Sequence, residues 1–454
     1  MYNTEAARVR LAVSRPLRIA VVGAGISGLS AAWLLSGRHQ VTLFEAADRL
    51  GGHSRTIEVE GPRGPLAVDM GFIVYNEPNY PNLTALFGHL GVPTRTSNMG
   101  FGVSLDGGRV EYGGDNLGAF FAQWRNLVRP RFWSMVSDLL RFYRQAPQHA
   151  CALHRDMVSL GDYLDAGGFG RAFQEDHLLP QAAAIWSASL KDIRDYPAAS
   201  FIRFCENHGL LKVARRPLWR TVVGGSQRYV SALAAHISGE IRLGSPVESI
   251  RRSDHGVTVR VHGGAPEAFD EVVLACHADK ALGMLADPGA DERRLLSTFR
   301  YAENRVVLHS DPNLMPRRRQ VWSAWNYIGR AGVDQLCVTY WMNRLQGLPS
   351  DLPLFVTLNP IRGPRSASII AEESFDHPMF DVPALRAQTA LWARQGANRT
   401  WWCGAHFGSG FHEDGLQTGL AVAEALGGVR RPWSVVGHSD RLPHTEEAIV
   451  AEAA

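Results

Sequence analysis

The chain has 454 residues, of which 45% are hydrophobic and 20% charged, and its formal net charge is +3. This length exceeds that of one ordinary core and predicts two or three domains. The small net charge, without a long basic run, argues against a nucleic-acid partner. The five cysteines contain no CxxC pair, which argues against a disulfide framework, an iron–sulfur cluster or a zinc site. We therefore expect a cytoplasmic protein without a bound metal.

An apolar stretch near the amino terminus, residues 17–35, has a dinucleotide-binding pattern and not that of a membrane span. It begins with RIAVV at 18–22, a run typical of a buried parallel strand. Gly23, Gly25 and Gly28 then fit G-x-G-x-x-G, and small and apolar residues continue as a predicted helix. The glycines permit a tight turn, close approach of a pyrophosphate and close packing of helix on strand.

A second strand with an acidic end completes this pattern. Residues 41–45 read VTLFE, and Glu45 lies 22 residues beyond Gly23. At that spacing a carboxylate can accept hydrogen bonds from ribose hydroxyls. The combination predicts a bound dinucleotide, but it does not separate NAD from FAD.

A second glycine pair follows the ribose acid by six residues, within DRLGGHSRT at 48–56. Gly51 and Gly52 allow the main chain to approach a pyrophosphate and a ribitol, and Arg49 and Arg55 can offset the diphosphate charge. For the glycine pair alone, a surface turn with two solvated arginines is the alternative. Its position after the ribose acid favours FAD.

These motifs resemble the flavin-containing amine oxidase and phytoene desaturase superfamily, whose signature adds E-x(3)-R-x-G-G to the dinucleotide fingerprint. Later segments match as well, including VDMGF at 68–72, the strand at 241–250 whose Val247 meets adenine, and the last strand, loop and helix at 402–421. The resemblance implies an α/β and α+β protein with a Rossmann-like FAD domain of the glutathione-reductase type. We expect that domain to be discontinuous and to combine 15–85, 215–290 and 396–430. An inserted substrate domain would comprise 86–214 and 291–395, followed by a loosely ordered tail at 431–454.

The same resemblance implies which residues contact FAD. No cysteine stands at the family's covalent flavin position, so we expect non-covalent FAD. Ala405 stands where many amine oxidases have an acid, a form that desaturase-like members share. The implied FAD-binding residues are Gly23, Gly25, Ile26, Ser27, Gly28, Glu45, Ala46, Arg49, Gly51, Gly52, His53, Gly71, Phe72, Val247, Gly404, Ala405, Asp414, Gly415 and Leu416.

Five side chains are candidates to move a proton or polarise a substrate beside the flavin: His53, Arg305, Tyr327, His406 and His412. We predict catalytic roles for His406, in the final flavin loop, and for Arg305 and Tyr327. Arg305 lies on the strand where many amine oxidases carry a lysine near the flavin N5. Tyr327 would line the substrate pocket or fill the core of the cap.

Several segments resemble one subgroup of this superfamily, whose members are predicted NAD/FAD-binding proteins encoded beside cyclopropane-fatty-acid-synthase-like methyltransferases. They are residues 51–56, 69–76, 304–311, 315–319, 325–327 and 410–415. This resemblance implies an acyl substrate with a methyl, methylene or cyclopropane modification, in a fatty acid or a phospholipid. It also implies such a methyltransferase as a partner.

Residues 124–144 mix aromatic and aliphatic residues with five arginines and a single acid, and after Pro130 they have helical periodicity. One interpretation is a segment that contacts a membrane surface, which would place the protein peripherally on the inner membrane. The other is a cap-domain helix with a buried apolar face and solvated arginines.

Three functions are compatible with the sequence. The first is an FAD-dependent oxidoreductase that desaturates, oxidises or isomerises a modified acyl chain by hydride transfer to the flavin N5. The second is an FAD-dependent amine oxidase that uses oxygen. The third is an FAD-bearing, non-catalytic partner of a fatty-acid methyltransferase.

Overall fold

The computed structural model describes residues 15–212, 216–330, 333–334 and 336–443. The strands are β1 (Arg18–Val22), β2 (Gln40–Phe44), β3 (Thr56–Gly61), β4 (Gly64–Asp69), β5 (Tyr75–Asn76), β6 (Thr94–Ser97), β7 (Phe101–Leu105), β8 (Val110–Gly113), β9 (Trp219–Val222), β10 (Glu240–Arg242), β11 (Val247–Ser253), β12 (Gly256–Val261), β13 (Glu267–Phe269), β14 (Glu271–Leu274), β15 (Arg300–His309), β16 (Trp325–Gly329), β17 (Val338–Trp341), β18 (Phe355–Leu358), β19 (Ile369–Met379) and β20 (Thr400–Trp402). The α-helices are α1 (Ile26–Ser36), α2 (Pro81–His89), α3 (Leu117–Phe120), α4 (Pro130–Asp156), α5 (Leu160–Ala166), α6 (Arg171–Phe173), α7 (Leu179–Trp186), α8 (Leu190–Asp195), α9 (Ala198–Asn207), α10 (Gln227–Ala234), α11 (Ala278–Met284), α12 (Ala290–Leu296), α13 (Met342–Leu345), α14 (Val382–Trp392) and α15 (His412–Leu426).

A five-stranded parallel sheet, with strand order β10-β2-β1-β14-β20, forms the first core. Its central strand β1 is buried after its first residue, as its apolar sequence predicts. Helix α15 packs closely on α1, because a Cβ at Gly419 would stand 2.3 Å from the main-chain oxygen of Ser27. The strands of this sheet come from the three segments expected to form the FAD domain, and the predicted Rossmann-like fold is confirmed.

A small antiparallel sheet, β11-β12-β13, adjoins the parallel sheet. The sequence from Ile241 to Ile250 was expected to form one strand, but the structure divides it into β10 and β11. Gly244, with a φ of +56°, bends the chain between them, and Pro246 has no N–H to give to a ladder.

A seven-stranded sheet, with order β19-β15-β18-β17-β16-β7-β8, forms the second core together with the helices between residues 130 and 207. Phe142 of α4 and Phe201 of α9 lie 6.4 Å apart, ring centre to ring centre, in the same core as Val306 and Val356 of the sheet. Helix α4 has 27 residues, yet neither it nor any other described helix is long and apolar enough to cross a membrane.

The described part of the carboxy-terminal tail is held on the parallel-sheet side. Arg431 donates to Glu424 at 2.8 Å, Arg441 donates to Asp414 at 3.2 Å, and the ring of Trp433 stacks at 5.9 Å from that of Trp33. The expectation of a loose tail is therefore wrong for residues 431–443. Residues 444–454 lie outside the described part of the chain.

Candidate active site

A cavity of about 1370 Å³ lies between the parallel sheet and the seven-stranded sheet. Gly23, Glu45 and Ala275, which follow β1, β2 and β14, line one end of it. Ligands of such sheets bind at the carboxyl ends of the parallel strands. The volume exceeds the roughly 300–1,000 Å³ of an ordinary ligand pocket. The cavity is therefore large enough for an extended cofactor and a substrate together.

The first glycine turn leaves main chain facing the cavity. Gly23 has a φ of +102°, and a Cβ there would stand 2.7 Å from the carbonyl oxygen of Ala275. At Gly25, in contrast, a Cβ would meet no described protein atom within 4 Å. No side chain caps the amino terminus of α1, so its free N–H groups can bind an anion such as a diphosphate.

The carboxylate of Glu45 is oriented by the main chain beside that turn. One oxygen accepts from the N–H of Ala24 at 2.7 Å and the other from the N–H of Ala47 at 2.9 Å. Each oxygen keeps a further lone pair, and Glu45 lines the cavity. The carboxylate can therefore accept hydrogen bonds from ribose hydroxyls.

The second glycine pair abuts the first turn, because a Cβ at Gly52 would stand 3.2 Å from the Cα of Gly25. Arg49 lines the cavity and donates to the main-chain oxygen of Gly52 at 2.9 Å. Burial, followed by the charge of Arg55, lowers the pKa of Arg49. A bound diphosphate would compensate this partly desolvated cation. Arg55 itself pairs with Glu373 at 2.6 Å and does not line the cavity, so the structure does not support its expected diphosphate contact.

His53 is packed among aromatic rings at the cavity wall. Its ring centre lies 5.0 Å from Phe375, 5.2 Å from His377 and 6.2 Å from His277. Its Nε2 is buried and has no hydrogen-bond partner in the described residues. Burial, and then His377, lowers the pKa of His53 well below its usual range, so the ring is neutral. Gly71 permits this arrangement, since a Cβ there would stand 2.0 Å from the main-chain oxygen of His53.

His412, the first residue of α15, is held by two hydroxyl groups. Its Nε2 lies 2.6 Å from the hydroxyl oxygen of Tyr229 and 3.1 Å from Oγ of Ser54, and its ring stacks on Phe72 at 3.8 Å. Burial lowers the pKa of His412 to about 3. A neutral imidazole therefore stands at the cavity in a fixed orientation.

His406 also lines the cavity, in the loop after β20. Its ring approaches Phe299 edge-on at 5.1 Å, and its main-chain oxygen accepts from the side chain of Gln388 at 2.8 Å. Burial, and then His277, lowers the pKa of His406 to about 3. The residue predicted first for catalysis is thus at the cavity, but it is uncharged.

Most of the residues expected to bind FAD line the cavity. They are Gly23, Gly25, Ile26, Ser27, Glu45, Ala46, Arg49, Gly51, Gly52, His53, Gly71, Phe72, Val247, Gly404 and Ala405.

Four others do not line it: Gly28, Asp414, Gly415 and Leu416. A Cβ at Gly28 would stand 1.8 Å from the Gly23 oxygen, so this glycine serves the packing of helix on strand. Asp414 caps its own helix by accepting from the N–H groups of Ser409 and Phe411 at 3.0 and 2.8 Å. Gly415 faces α1, and Leu416 is fully buried in the core.

Two of the three predicted catalytic residues are not at the cavity. Arg305 points to the outside of β15, where it forms an ion pair with Glu372 at 2.8 Å, and about half of its side chain is exposed. Tyr327 is buried in the core behind the wall, and burial raises the pKa of its hydroxyl. These placements do not support the predicted roles of Arg305 and Tyr327.

Sequence reasoning missed most of the substrate side. His277 lies three residues beyond the end of β14, and its place near a strand end was a usable signal. His377 lies on β19, and no local pattern indicates its approach to His53. We call the lining residues from 99–219 and 325–358 the cap wall: Met99, Phe101, Gln181, Ile185, Trp186, Ser187, Phe204, His208, Leu210, Trp219, Trp325, Tyr340 and Leu358.

A nucleotide cradle at a parallel sheet, within a cavity that also has room for a substrate, is the arrangement of a dinucleotide-dependent oxidoreductase, and the family match identifies the dinucleotide as FAD. The comparisons agree: residues 26–310 match the family model described as flavin-containing amine oxidoreductase, and the chain belongs to this family. AofH of Mycobacterium tuberculosis, whose name proposes a flavin-containing monoamine oxidase, is 29% identical over 383 residues, 78% of this chain and 73% of AofH.

Solved structures share the fold at low identity. A CLA-producing fatty acid isomerase from P. acnes superposes with a TM-score of 0.65 at 17% identity and covers 91% of this chain and 98% of its own. A putrescine oxidase bound to putrescine superposes with a TM-score of 0.66 at 17% identity and covers 90% and 98%. The fold is common to enzymes that act on fatty acids and on amines, so it does not select a substrate.

The residues present fit FAD. The open space at Gly25, the uncapped end of α1, the half-buried cation of Arg49 and His53, whose buried Nε2 has no partner in the described residues, all lie at the lining of one cavity. FAD is the cofactor of this family.

Proposed function

We propose that this enzyme desaturates, oxidises or isomerises a modified fatty acyl chain, methylated or carrying a cyclopropane ring, in a fatty acid or a phospholipid. The observation that carries the proposal is the chemistry of the cap wall. Its residues are aromatic, aliphatic or neutral polar, and among all cavity-lining residues of 86–214 and 291–395 only Glu303 and Asp376 are acidic and none is Lys or Arg. Such a wall favours an apolar chain, since a charged group placed against it, away from those two carboxylates, would lose its hydration without a partner.

The one histidine of the cap wall is neutral as well. The Nδ1 of His208 lies 2.9 Å from the main-chain oxygen of Phe204, and a carbonyl oxygen only accepts, so Nδ1 carries the proton. Burial lowers the pKa of His208 to about 3. Its ring stacks on Phe204 at 3.8 Å and therefore adds flat, uncharged surface.

When bound, FAD supplies a hydride acceptor, which is the chemistry that a C–H bond of an acyl chain needs. The protein's residues then have to exclude water, orient the chain and accept or return a proton. The buried aromatic residues of the cap wall exclude water. His53 suits the proton transfer, because it lines the cavity and its ring is neutral.

The resemblance to proteins encoded beside cyclopropane-synthase-like methyltransferases supports an enzyme of that class as the partner that supplies the modified chain.

Oxidation of an amine is the second candidate function. Glu303 and Asp376 line the cavity outside the cap wall, and either carboxylate could pair with an ammonium group. Family membership favours this candidate too.

The decisive experiment mixes the FAD-loaded enzyme with substrates in the absence of oxygen. Three sets are compared: phospholipids and free fatty acids with methylated or cyclopropane chains, the same lipids with plain chains, and alkyl amines. We expect loss of the flavin's visible absorbance, or an isomerised product by mass spectrometry with unchanged absorbance, only with the modified chains. Reaction with amines alone would replace the proposal by the second candidate. Reaction with nothing, together with co-purification of the methyltransferase, would indicate a non-catalytic partner.

A further inference from the structure

Six large apolar side chains are exposed on one segment of the chain, between residues 117 and 140. They are Leu117 at 77%, Trp124 at 68%, Leu127 at 51%, Val128 at 74%, Trp133 at 46% and Leu140 at 53% exposure. We call these six residues the apolar patch. They lie on α3, the turn at 124–128 and the start of α4. A cluster of this kind on a folded surface marks an interaction site.

The protein's own core does not have room for the apolar patch, because other residues of the segment already occupy it. Phe132 and Met135 are the buried members of α4 here. Asn126 is fully buried and donates to the main-chain oxygen of Glu111 on β8 at 3.0 Å. Trp133 donates from its indole nitrogen to the oxygen of Leu127 at 2.9 Å. The turn is therefore anchored from below, and the outward direction of its apolar side chains is fixed.

The charged residues within the segment that carries the apolar patch are almost all positive. Residues 117–144 contain five arginines and one acid, Asp138. Arg141 is paired with Asp138 and Arg131 with Asp176. Among the described residues, no carboxylate pairs with Arg125 or Arg144.

We propose that the apolar patch and these arginines dock the protein on an anionic membrane surface. Exposed tryptophans and leucines insert shallowly at the boundary of headgroups and acyl chains, and unpaired arginines attract anionic headgroups. The guanidinium of Arg125 lies 5.7 Å from the ring centre of Trp124, which places cation and aromatic ring at one depth, as such an interface requires. A protein partner would need acidic groups opposite both arginines, whereas an anionic bilayer presents them everywhere.

The docking surface is structurally connected to the cavity. The N–H of Gly114, just before α3, donates to the main-chain oxygen of Phe101 at 2.8 Å, and Phe101 belongs to the cap wall. The membrane proposal stands on the exposed residues alone and is independent of which substrate is oxidised.

Vesicle flotation of the full-length, FAD-loaded protein tests the proposal. We expect flotation with vesicles of phosphatidylcholine and phosphatidylglycerol and much less with phosphatidylcholine alone. The triple variant Trp124→Ser, Leu127→Ser, Val128→Ser should need at least about tenfold more lipid for half-binding, because three inserted apolar side chains are lost. Arg125→Glu with Arg144→Glu should abolish the preference for anionic vesicles.

The matched control is Ile370→Ser with Val436→Ser, which removes exposed apolar residues elsewhere, at 38% and 98% exposure. It should float like the wild type, and flavin content and melting temperature verify that all variants are folded. Equal flotation of the patch and control variants, or none by the wild type, would overturn the proposal. The proposal would also be overturned if the wild type did not bind vesicles but formed a dimer in light scattering that the triple variant abolished. The apolar patch would then join two copies of the chain. Flotation does not measure turnover, so the flotation result can be interpreted even if the lipid-oxidation assay fails.

Discussion

Gly52 stands against Gly25, so closely that a Cβ on Gly52 would lie 3.2 Å from the Cα of its neighbour. The two turns are separated in sequence by α1 and β2, yet they form one continuous main-chain surface. This explains why a chain that already has a phosphate turn carries a second glycine pair. One turn provides the amides at the start of α1, and the other brings Arg49 beside them.

Two glycine substitutions should separate cofactor binding from folding. A Cβ at Gly25 meets no described protein atom within 4 Å, so Gly25→Ala should leave the stability of the FAD-free protein within about 0.5 kcal/mol of wild type. The methyl group would project into the space expected for the diphosphate, and FAD affinity should fall at least about tenfold. Gly28→Ala, whose Cβ would stand 1.8 Å from the Gly23 oxygen, should instead unfold the FAD-free protein at lower denaturant concentration. Denaturant titration and flavin fluorescence measure the two effects, and loss of stability in Gly25→Ala would contradict the assignment.

Arg49→Gln should weaken FAD binding by roughly 10- to 100-fold, because a charge-assisted contact with the diphosphate is lost. Arg55→Gln is the matched control, since Arg55 pairs with Glu373 and does not line the cavity. It should change the FAD dissociation constant less than about threefold. Titration calorimetry with the FAD-free protein gives both constants. If the two variants changed the FAD dissociation constant equally, Arg49 would act only through its positive charge and not through a direct contact with the diphosphate.

The nucleotide half of the site could be predicted because its signals are local. Glycines at fixed spacing and an acid at a strand end specify main-chain geometry within a few dozen residues, and the structure places them together at the cavity. Asp414 lies in a matching segment, but the structure does not place it at the cavity lining. Its carboxylate is used by its own helix end, at the N–H groups of Ser409 and Phe411.

The substrate half could not be predicted, because it depends on contacts between distant segments. Arg305 lies on the expected strand, but the pairing of β15 with β19 places it beside Glu372 on the outer face. That same pairing brings Asn304 within 3.2 Å of the Nδ1 of His377, which in turn lies beside His53. Strand register decides which face a side chain takes, and a sequence pattern near Arg305 does not contain the register.

Arg305→Ala should therefore leave kcat within about twofold of wild type, as expected for loss of an exposed ion pair. His53→Gln, which keeps a polar group of similar size, should lower the rate of flavin reduction at least about 100-fold if the imidazole ring handles the proton. Rapid mixing without oxygen measures this step directly, and the flavin absorbance of the FAD-loaded variants shows whether the cofactor remains bound. A strong loss of activity in Arg305→Ala, together with a fully active His53→Gln, would instead support the catalytic role that the sequence predicted for Arg305.

Stability should fall as the pH drops from about 6.5 towards 4. Burial lowers the pKa of several histidines to about 3 or 4: His177, His208, His309, His377, His406 and His412. In this window the unfolded chain binds protons that the native state does not, so the free energy of unfolding decreases as the pH falls. Each of these histidines lowers the free energy of unfolding by about 1 to 2 kcal/mol at pH 5 relative to pH 7. Asp69 opposes the trend, because burial raises its pKa to about 6, but it offsets only part of the sum.

Urea unfolding of the FAD-free protein at pH 7 and pH 5 tests this dependence. His208→Phe should make it less steep by one histidine's contribution, while the exposed His236→Phe should leave it unchanged. A stability that is flat between these pH values would show that the buried rings are protonated in the native state.

A charge placed in the cap wall should reveal what the chamber accepts. Ile185 lines the cavity on α7, and Ile185→Asp would put a carboxylate among the aromatic rings of Trp186 and Phe204. We expect kcat/KM for modified acyl chains to fall at least about 100-fold, because an apolar chain would have to desolvate that carboxylate. Ile185→Leu keeps the volume and polarity and should stay within about threefold of wild type. If the natural substrate were instead an ammonium ion, Ile185→Asp would improve KM for amines, and that result would favour the amine oxidase function over the acyl one.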